Sequence, residues 1–304
     1  MTLLYKYTPT SINDMILDKS IKERFALILR NFTNLIISGS IGVGKTTIAT
    51  CLVNDIFKND IKNVLYINSI NGLKNIYTSI MTFCHFHSIS KYPYKIVVIN
   101  DIDNITEKIQ NQISLLMEKY QYTVKFIFTC ETIVNIIQQI QSKSLIIGMV
   151  FPLDSQIISY VQHICDNEQI KYEDDAITQI VNNYHGDIRT ILNTVQILSK
   201  KIITTKRLYN LCGTPQTDLI KEILELCFSN DLYSAIMKTK TLKNLGFSGT
   251  DIVTSMLNVL QSNFELYNDR KMEMLSKICD TIYNMSCCID SDLQLFSLIC
   301  ELST

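Results

Sequence analysis

Apolar and polar positions change their period near residue 151. Before it, short, largely apolar runs alternate with stretches of helical period. Runs at 34–38, 63–68, 95–99, 124–130 and 145–150 predict strands, and 19–30, 47–57, 72–87, 107–118 and a stretch on to about Gln141 predict helices. Lys95-Ile96-Val97-Val98-Ile99 is continuously apolar after its first residue, as expected of a strand buried on both faces. Strands alternating with helices predict an α/β unit, a parallel sheet covered on both sides. Beyond Phe151-Pro152-Leu153 the periods are helical at 155–168, 174–184 and 187–199, with 201–205 as the one strand-like run. A second break at Gly213-Thr214-Pro215 precedes five amphipathic stretches, at about 216–228, 230–244, 248–266, 270–285 and 290–302. The chain therefore divides into an α/β part, 1–151, a small helical part, 152–212, and an all-helical part, 213–304.

Composition narrows this picture. A length of 304 residues suits two or three domains. A net charge of −1 supplies no bulk attraction to nucleic acid, so any DNA contact must come from a local patch or from several subunits together. Ten cysteines behind a short polar N-terminus without a signal peptide predict reduced thiols and an intracellular chain. No apolar run reaches the ~18 residues of a membrane span. Cys84-His85-Phe86-His87 has a hint of metal-ligand spacing but lacks a second ligand pair.

The densest chemistry follows the first predicted strand. Gly39-Ser40-Ile41-Gly42-Val43-Gly44-Lys45-Thr46 reads G-x-x-x-x-G-K-T, and Thr47 continues into a helix. Glycines let the backbone wrap an anion, and the loop N–H groups with the helix N-terminus point at it. Lys45 would reach the outer phosphates and the Thr46 hydroxyl would ligate Mg²⁺. A plain glycine-rich turn is the alternative, set aside because the complete pattern sits between strand and helix. The pattern predicts a nucleoside triphosphate site, and Asn100-Asp101-Ile102-Asp103 falls at the same end of the sheet.

Further motifs, in order, carry a resemblance to the small subunits of replication factor C, the AAA+ sliding-clamp loader. Tyr5-Lys6-Tyr7-Thr8-Pro9 resembles the family's E-K-Y-R-P opening, with Thr8 in place of arginine. Ile12-Asn13-Asp14-Met15-Ile16 resembles the L-D-D-I-V beside adenine. Gly186-Asp187-Ile188-Arg189 is similar to the G-D-x-R carrying the sensor-2 arginine. Leu211-Cys212-Gly213-Thr214-Pro215 resembles the junction into the collar, and Gly246-Phe247-Ser248-Gly249-Thr250-Asp251-Ile252 the collar's G-[YF]-S-x-x-D-I. The resemblance runs almost end to end. It implies an AAA+ nucleotide domain over 1–151, a helical lid over 152–212 and an oligomerising collar over 213–304. It also implies ATP and Mg²⁺ as cofactors, with Tyr7, Thr8 and Ile16 near adenine, Arg189 on the γ-phosphate, and Thr46 and Asp101 at the metal.

Three positions depart from the family. Its D-E-A-D box is Asn100-Asp101-Ile102-Asp103, so a neutral amide replaces the first carboxylate and Asp101 is one methylene shorter than the catalytic glutamate. This weakens hydrolysis more than binding, unless Asp101 shifts into the metal role. The sensor-1 asparagine is Glu131, a carboxylate repelled by the γ-phosphate unless protonated or turned away, or else serving as a base. The S-R-C arginine finger is Ser142-Lys143-Ser144, and a second arginine pair is Ser114-Leu115. Lys143 keeps a charge without the bidentate fork, as a weak finger or a solvated surface charge.

The resemblance implies a clamp-loader subunit in a pentameric ring, acting with other loader subunits, a sliding clamp and primer–template DNA, away from membranes. Its compartment would be a nucleus, a viral replication site or a prokaryotic cytoplasm. Ile80, Phe83 and Phe86 recur at helical spacing where the family meets the clamp, or they only pack on the sheet. A non-hydrolysing scaffold subunit and a small-molecule P-loop kinase are the other readings, the kinase leaving Arg189 and the helical tail without a role.

Overall fold

The computed structural model describes residues 2–58, 61–69, 76–86, 94–184, 186–205, 207–208, 217–263, 268–287 and 291–303. Two compact units result, Met1–Thr204 and Thr205–Thr304. The first holds strands β1 (Leu35–Ser38), β2 (Val64–Asn68), β3 (Lys95–Asn100), β4 (Val124–Cys130) and β5 (Leu145–Gly148). They lie in the order β2-β3-β4-β1-β5, each pairing parallel.

Side-chain alternation along the strands builds two apolar layers. Leu35, Ile37, Ile96, Val98 and Ile127 face α2 (Lys19–Arg30) and α3 (Lys45–Phe57), meeting Phe25, Ile48 and Leu52. Ile36, Val97, Ile99, Phe126 and Phe128 face α4 (Ile76–His85), α5 (Glu107–Lys119) and the four-residue α6 (Gln138–Gln141), meeting Ile80, Ile113 and Ile140. β1 and β3 are buried throughout, as their apolar runs require, whereas edge strand β5 leaves Leu145 and Ile146 exposed. Because β3, β4 and β1 are neighbours, the segments after residues 38, 100 and 130 leave the sheet side by side.

Helices α7 (Asp154–Asn167), α8 (Asp174–Tyr184) and α9 (Ile188–Leu198) belong to the same unit. The N-terminal segment, with α1 (Leu3–Lys6), is tied to them and to α3. Leu3 N–H donates to Gln196 Oε1 at 3.0 Å, Tyr7 Oη to Glu168 Oε1 at 2.7 Å, and Tyr160 Oη to the Tyr7 carbonyl at 3.0 Å. Five residues on, Ile12 N–H donates to Asp55 Oδ2 at 3.1 Å, and Cys51 Sγ lies 3.2 Å from the Pro9 carbonyl.

The second unit packs α10 (Thr217–Phe228), α11 (Leu232–Asn244), α12 (Gly249–Asn263), α13 (Asn268–Cys287) and α14 (Ser291–Leu302) around Ile220, Leu224, Ile252, Met256, Ile278 and Leu295. Among the described residues no helix is long and apolar enough to cross a membrane.

Two expectations change. The stretch from β4 to Gln141 is helical only over its last turn, because Gln110 occupies the backbone before it. Gln110 Nε2 donates to the Asn135 carbonyl at 3.0 Å, and Ile137 N–H donates to Gln110 Oε1 at 3.0 Å. The 201–205 run forms a single bridge, Ile203 to Tyr172, where the segment after α7 passes it. The Gly213-Thr214-Pro215 break, residues 72–75 and His87 lie outside the described residues.

Candidate nucleotide site

β1 ends at Ser38 and the chain turns through Gly39–Gly44 before α3 begins at Lys45. Gly42 and Gly44 have φ of +86° and +95°, values that only glycine holds without strain. Gly42 is also a close approach, since a Cβ there would lie 2.4 Å from Asp187 Oδ1. Val43 is buried and fixes the middle of the loop. Lys45 Nζ arches back to the carbonyls of Gly39 and Ser40, at 2.8 and 3.0 Å.

A cavity of about 260 Å³ follows. It gathers Ile41, Gly42, Gly44, Lys45, Thr46 and Thr47 from the loop and α3, Asp101, Asp103 and Asn104 from beyond β3, Glu131 from beyond β4, and Arg189 from α9. A second cavity of about 110 Å³ shares Gly42, Gly44, Thr47 and Arg189. Tyr7, Thr8 and Ile16 line it, together with Leu4, Pro9, Asp14, Met15, Val43, Tyr160, Ile188 and Leu192. Arg189 reaches both because Asp187 caps α9, accepting from the N–H groups of Arg189 at 3.0 Å and Thr190 at 3.4 Å.

These residues fit a nucleoside triphosphate with Mg²⁺. Bare glycine backbone, a helix N-terminus and Lys45 form the anion cradle. The Thr46 hydroxyl and the carboxylates of Asp101, Asp103 and Glu131 share its cavity and are the hard oxygen donors that Mg²⁺ takes.

At the strand ends the expected acidic box is rearranged. Asn100, expected at the catalytic centre, is 8 % exposed and absent from the cavity wall. Its Nδ2 donates to Asn68 Oδ1 at 2.7 Å, and its Oδ1 accepts from Thr129 Oγ1 at 3.4 Å, so both amide ends are engaged within the sheet. Asp101 and Glu131 do line the cavity. Glu131 is exposed, and its N–H donates to Asp103 Oδ2 at 2.9 Å. Asp103 Oδ1 is buried without a hydrogen bond. Burial, with Asp103 and Asp101 nearby, pushes the Cys130 thiol up to about 12, so it stays protonated.

Away from the cavity, Lys143 and Ser114 meet. Lys143 Nζ donates to Ser114 Oγ at 2.8 Å and to Glu118 Oε1 at 2.5 Å. On α4, Ile80 is fully buried between helix and sheet and offers no surface, which corrects its expected place in a contact patch. Phe83 is half-buried, and Phe86 is 74 % exposed just past the helix end. Lys95, buried at the start of β3, donates to the carbonyls of Phe83, at 2.8 Å, and Phe86, and so finishes the last turn of α4. Cys84 is buried with its thiol pushed up to about 11, and His85 is bonded to Tyr120 Oη at 3.2 Å.

Similarity to known proteins bears directly on this geometry. A mimivirus protein (Acanthamoeba polyphaga mimivirus) described as a replication factor C small subunit is 31 % identical over 304 residues, covering 98 % of this chain and 95 % of its own. The chain belongs to the replication factor C small-subunit family. Replication factor C small subunit of Sulfurisphaera tokodaii is 28 % identical over 98 % of this chain and 94 % of its own, and replication factor C subunit 4 of Schizosaccharomyces pombe is 28 % identical over 98 % and 90 %. The family profile "Replication factor C C-terminal domain" matches residues 215–301, and the profile "Sigma-54 interaction domain" matches 16–153. The fold matches the RuvB branch migration motor of Thermotoga maritima, with a TM-score of 0.56 at 14 % identity over 72 % of this chain and 78 % of that one. The architecture is thus the AAA+ P-loop fold followed by the replication factor C helical domain.

Sequence reasoning missed Tyr160 and Leu192 in the apolar wall of the smaller cavity, because such residues carry no chemical signature. It also missed Thr129 and the bond that Asp103 accepts from Glu131 N–H, which depend on neighbours distant in sequence.

Proposed function

We propose that this chain is a clamp-loader subunit. It binds ATP with Mg²⁺ in the paired cavities and, in a pentameric ring with other loader subunits, helps place a sliding clamp on primer–template DNA. The observation that carries this reading is that the cavity lined by the N-terminal segment and the cavity lined by Lys45 and Thr46 share Gly42, Gly44, Thr47 and Arg189, in a member of this family. Adenine would sit against Tyr7, Thr8 and Ile16. Loop N–H groups from Gly39 to Thr47 and Lys45 would hold the phosphates, with Arg189 on the γ-phosphate. Mg²⁺, held by Thr46 and Asp101, would neutralise charge on the phosphate oxygens. Residues 152–212 would act as the lid and 213–304 as the oligomerising collar. Phe86, with Phe83 beside it, would meet the clamp. The site of action is wherever DNA is replicated, in a nucleus, a viral replication compartment or a prokaryotic cytoplasm.

Hydrolysis is the weaker half of the activity. Asn100 supplies no carboxylate and is tied to Asn68, and Lys143 is tied to Ser114 and Glu118. These two observations favour a second reading, a subunit that holds ATP chiefly as a structural ligand while neighbours turn it over. The kinase reading gains nothing from either. The test is to purify the complex from its source, identify the co-eluting chains, and measure ATP turnover with and without clamp and primed DNA. Co-elution with other loader subunits and stimulated turnover support the proposal. A solitary chain indifferent to both would overturn it.

A further inference from the structure

The carboxyl ends of β2, β3 and β4 are joined by one line of hydrogen bonds. Asn100 Nδ2 donates to Asn68 Oδ1 at 2.7 Å, which leaves Asn100 Oδ1 facing β4. Thr129, fully buried in β4, donates its hydroxyl proton to that oxygen at 3.4 Å. With its donor so directed, Thr129 Oγ1 accepts the backbone N–H of Asp101 at 3.1 Å. Asp101 itself has φ +54° and ψ +53°, a left-handed conformation that residues other than glycine adopt only with local support. Asn104 N–H closes the following turn on the Asp101 carbonyl at 3.1 Å. In this conformation Asp101 lines the cavity it shares with Lys45 and Thr46.

We infer that Thr129 is a positioning residue of the nucleotide site: its hydroxyl, oriented by the Asn68–Asn100 amide pair, holds Asp101 in the conformation that presents it to Mg²⁺. The inference rests on the nucleotide reading above and adds a role that position 129 does not declare in the sequence. It also gives Asn100 a task. The amide that replaces a carboxylate there acts through Thr129 and stays outside the cavity. An ordinary extended conformation at residue 101 would carry the carboxylate elsewhere, and Mg²⁺ would then add less to nucleotide binding.

The experiment titrates AMP-PNP into the full chain by calorimetry, once in excess MgCl₂ and once in excess EDTA. The readout is the ratio of the two dissociation constants, the magnesium gain. Thr129→Val keeps the shape and removes the hydroxyl; the gain should fall about 10- to 100-fold, the range of lost partners behind metal ligands. Its affinity in EDTA should stay within about twofold of the native chain, and Thr129→Ser, which restores the hydroxyl, should recover the gain. Asp101→Asn should lose as much, and adding Thr129→Val to it should cost nothing further, because both act on one group. Thr129→Ala is run in parallel, so a failure of the valine variant to fold still leaves a hydroxyl-free protein. An undiminished gain in the hydroxyl-free variants overturns the inference, as does an equal loss in both buffers. Failure of the native chain to bind AMP-PNP in either buffer would instead overturn the nucleotide reading, and this inference with it.

Discussion

Lys143 Nζ donates to Ser114 Oγ at 2.8 Å, so the two positions that the resemblance assigns to inter-subunit arginines are bonded to each other within this chain. Glu118 completes the arrangement at 2.5 Å from the same ammonium. A lysine held by two partners on α5 of the same chain is poorly placed to reach a second molecule, and it lacks the bidentate fork.

Removing it should therefore change little. In the assembled complex, Lys143→Ala is expected to leave clamp- and DNA-stimulated ATP turnover within about twofold, against the ~10³–10⁵ that a working arginine finger contributes. Stability should drop by no more than ~1 kcal/mol, because the ion pair is partly solvated. Collapse of turnover in Lys143→Ala would show that the lysine serves as the finger.

Gly42 and Asp187 make a second close pair. Gly42→Ala meets both a left-handed φ and the 2.4 Å approach to Asp187 Oδ1. Gly44→Ala meets only the φ, its nearest neighbour being Met15 Cε at an ordinary 3.5 Å. The alanine at 42 is expected to lower stability by ~1–2 kcal/mol from conformation alone, and further through the cap of α9. Thermal unfolding of the two variants checks this, with the larger loss expected at position 42.

Much of this fold was legible in the sequence. β1 and β3 announce themselves as short apolar runs, β4 as a largely apolar one, and the glycine loop sits where a strand meets a helix. What was not legible depends on tertiary partners. The segment after β4 has helical period, yet Gln110 draws its backbone groups into side-chain hydrogen bonds. Ile80, Phe83 and Phe86 share a spacing, but only the packing of α4 on the sheet separates a core residue from an exposed one. Asn100 reads as a weakened metal ligand until Asn68 and Thr129 are seen to engage both ends of its amide.

The N-terminal strap predicts a pH dependence. Hydrogen bonds from Lys6 and Tyr7 hold the Glu168 carboxyl below its ordinary value of 4.5. Its contribution is therefore complete above that value and is lost as pH falls through the lower, folded-state pKa. The same Glu168 raises Lys6 above 10.5, so the lysine's share is complete below 10.5 and disappears at higher pH. Melting temperature measured against pH should fall less steeply below pH 4.5 in Glu168→Gln than in the native chain, by a small margin because the groups are partly open to solvent.

At the end of α4, Phe86 and Lys95 should separate contact from support. Phe86→Ala removes an exposed ring and is expected to weaken clamp capture by the assembled complex with no loss of melting temperature. Lys95→Met orphans the carbonyls of Phe83 and Phe86 and should cost ~1–3 kcal/mol in unfolding experiments. Full clamp capture by a folded Phe83→Ala, Phe86→Ala double variant would remove α4 from the interface.

Whether nucleotide sits in the cradle between the glycine loop and Arg189 is decided by calorimetric titration of ATP and Mg²⁺ into the native chain and Lys45→Ala. The native chain should bind one equivalent. The variant should bind about 10²-fold more weakly or not at all, as expected when one partner of a buried charge-assisted contact is removed. Equal affinity in the two proteins would contradict the account.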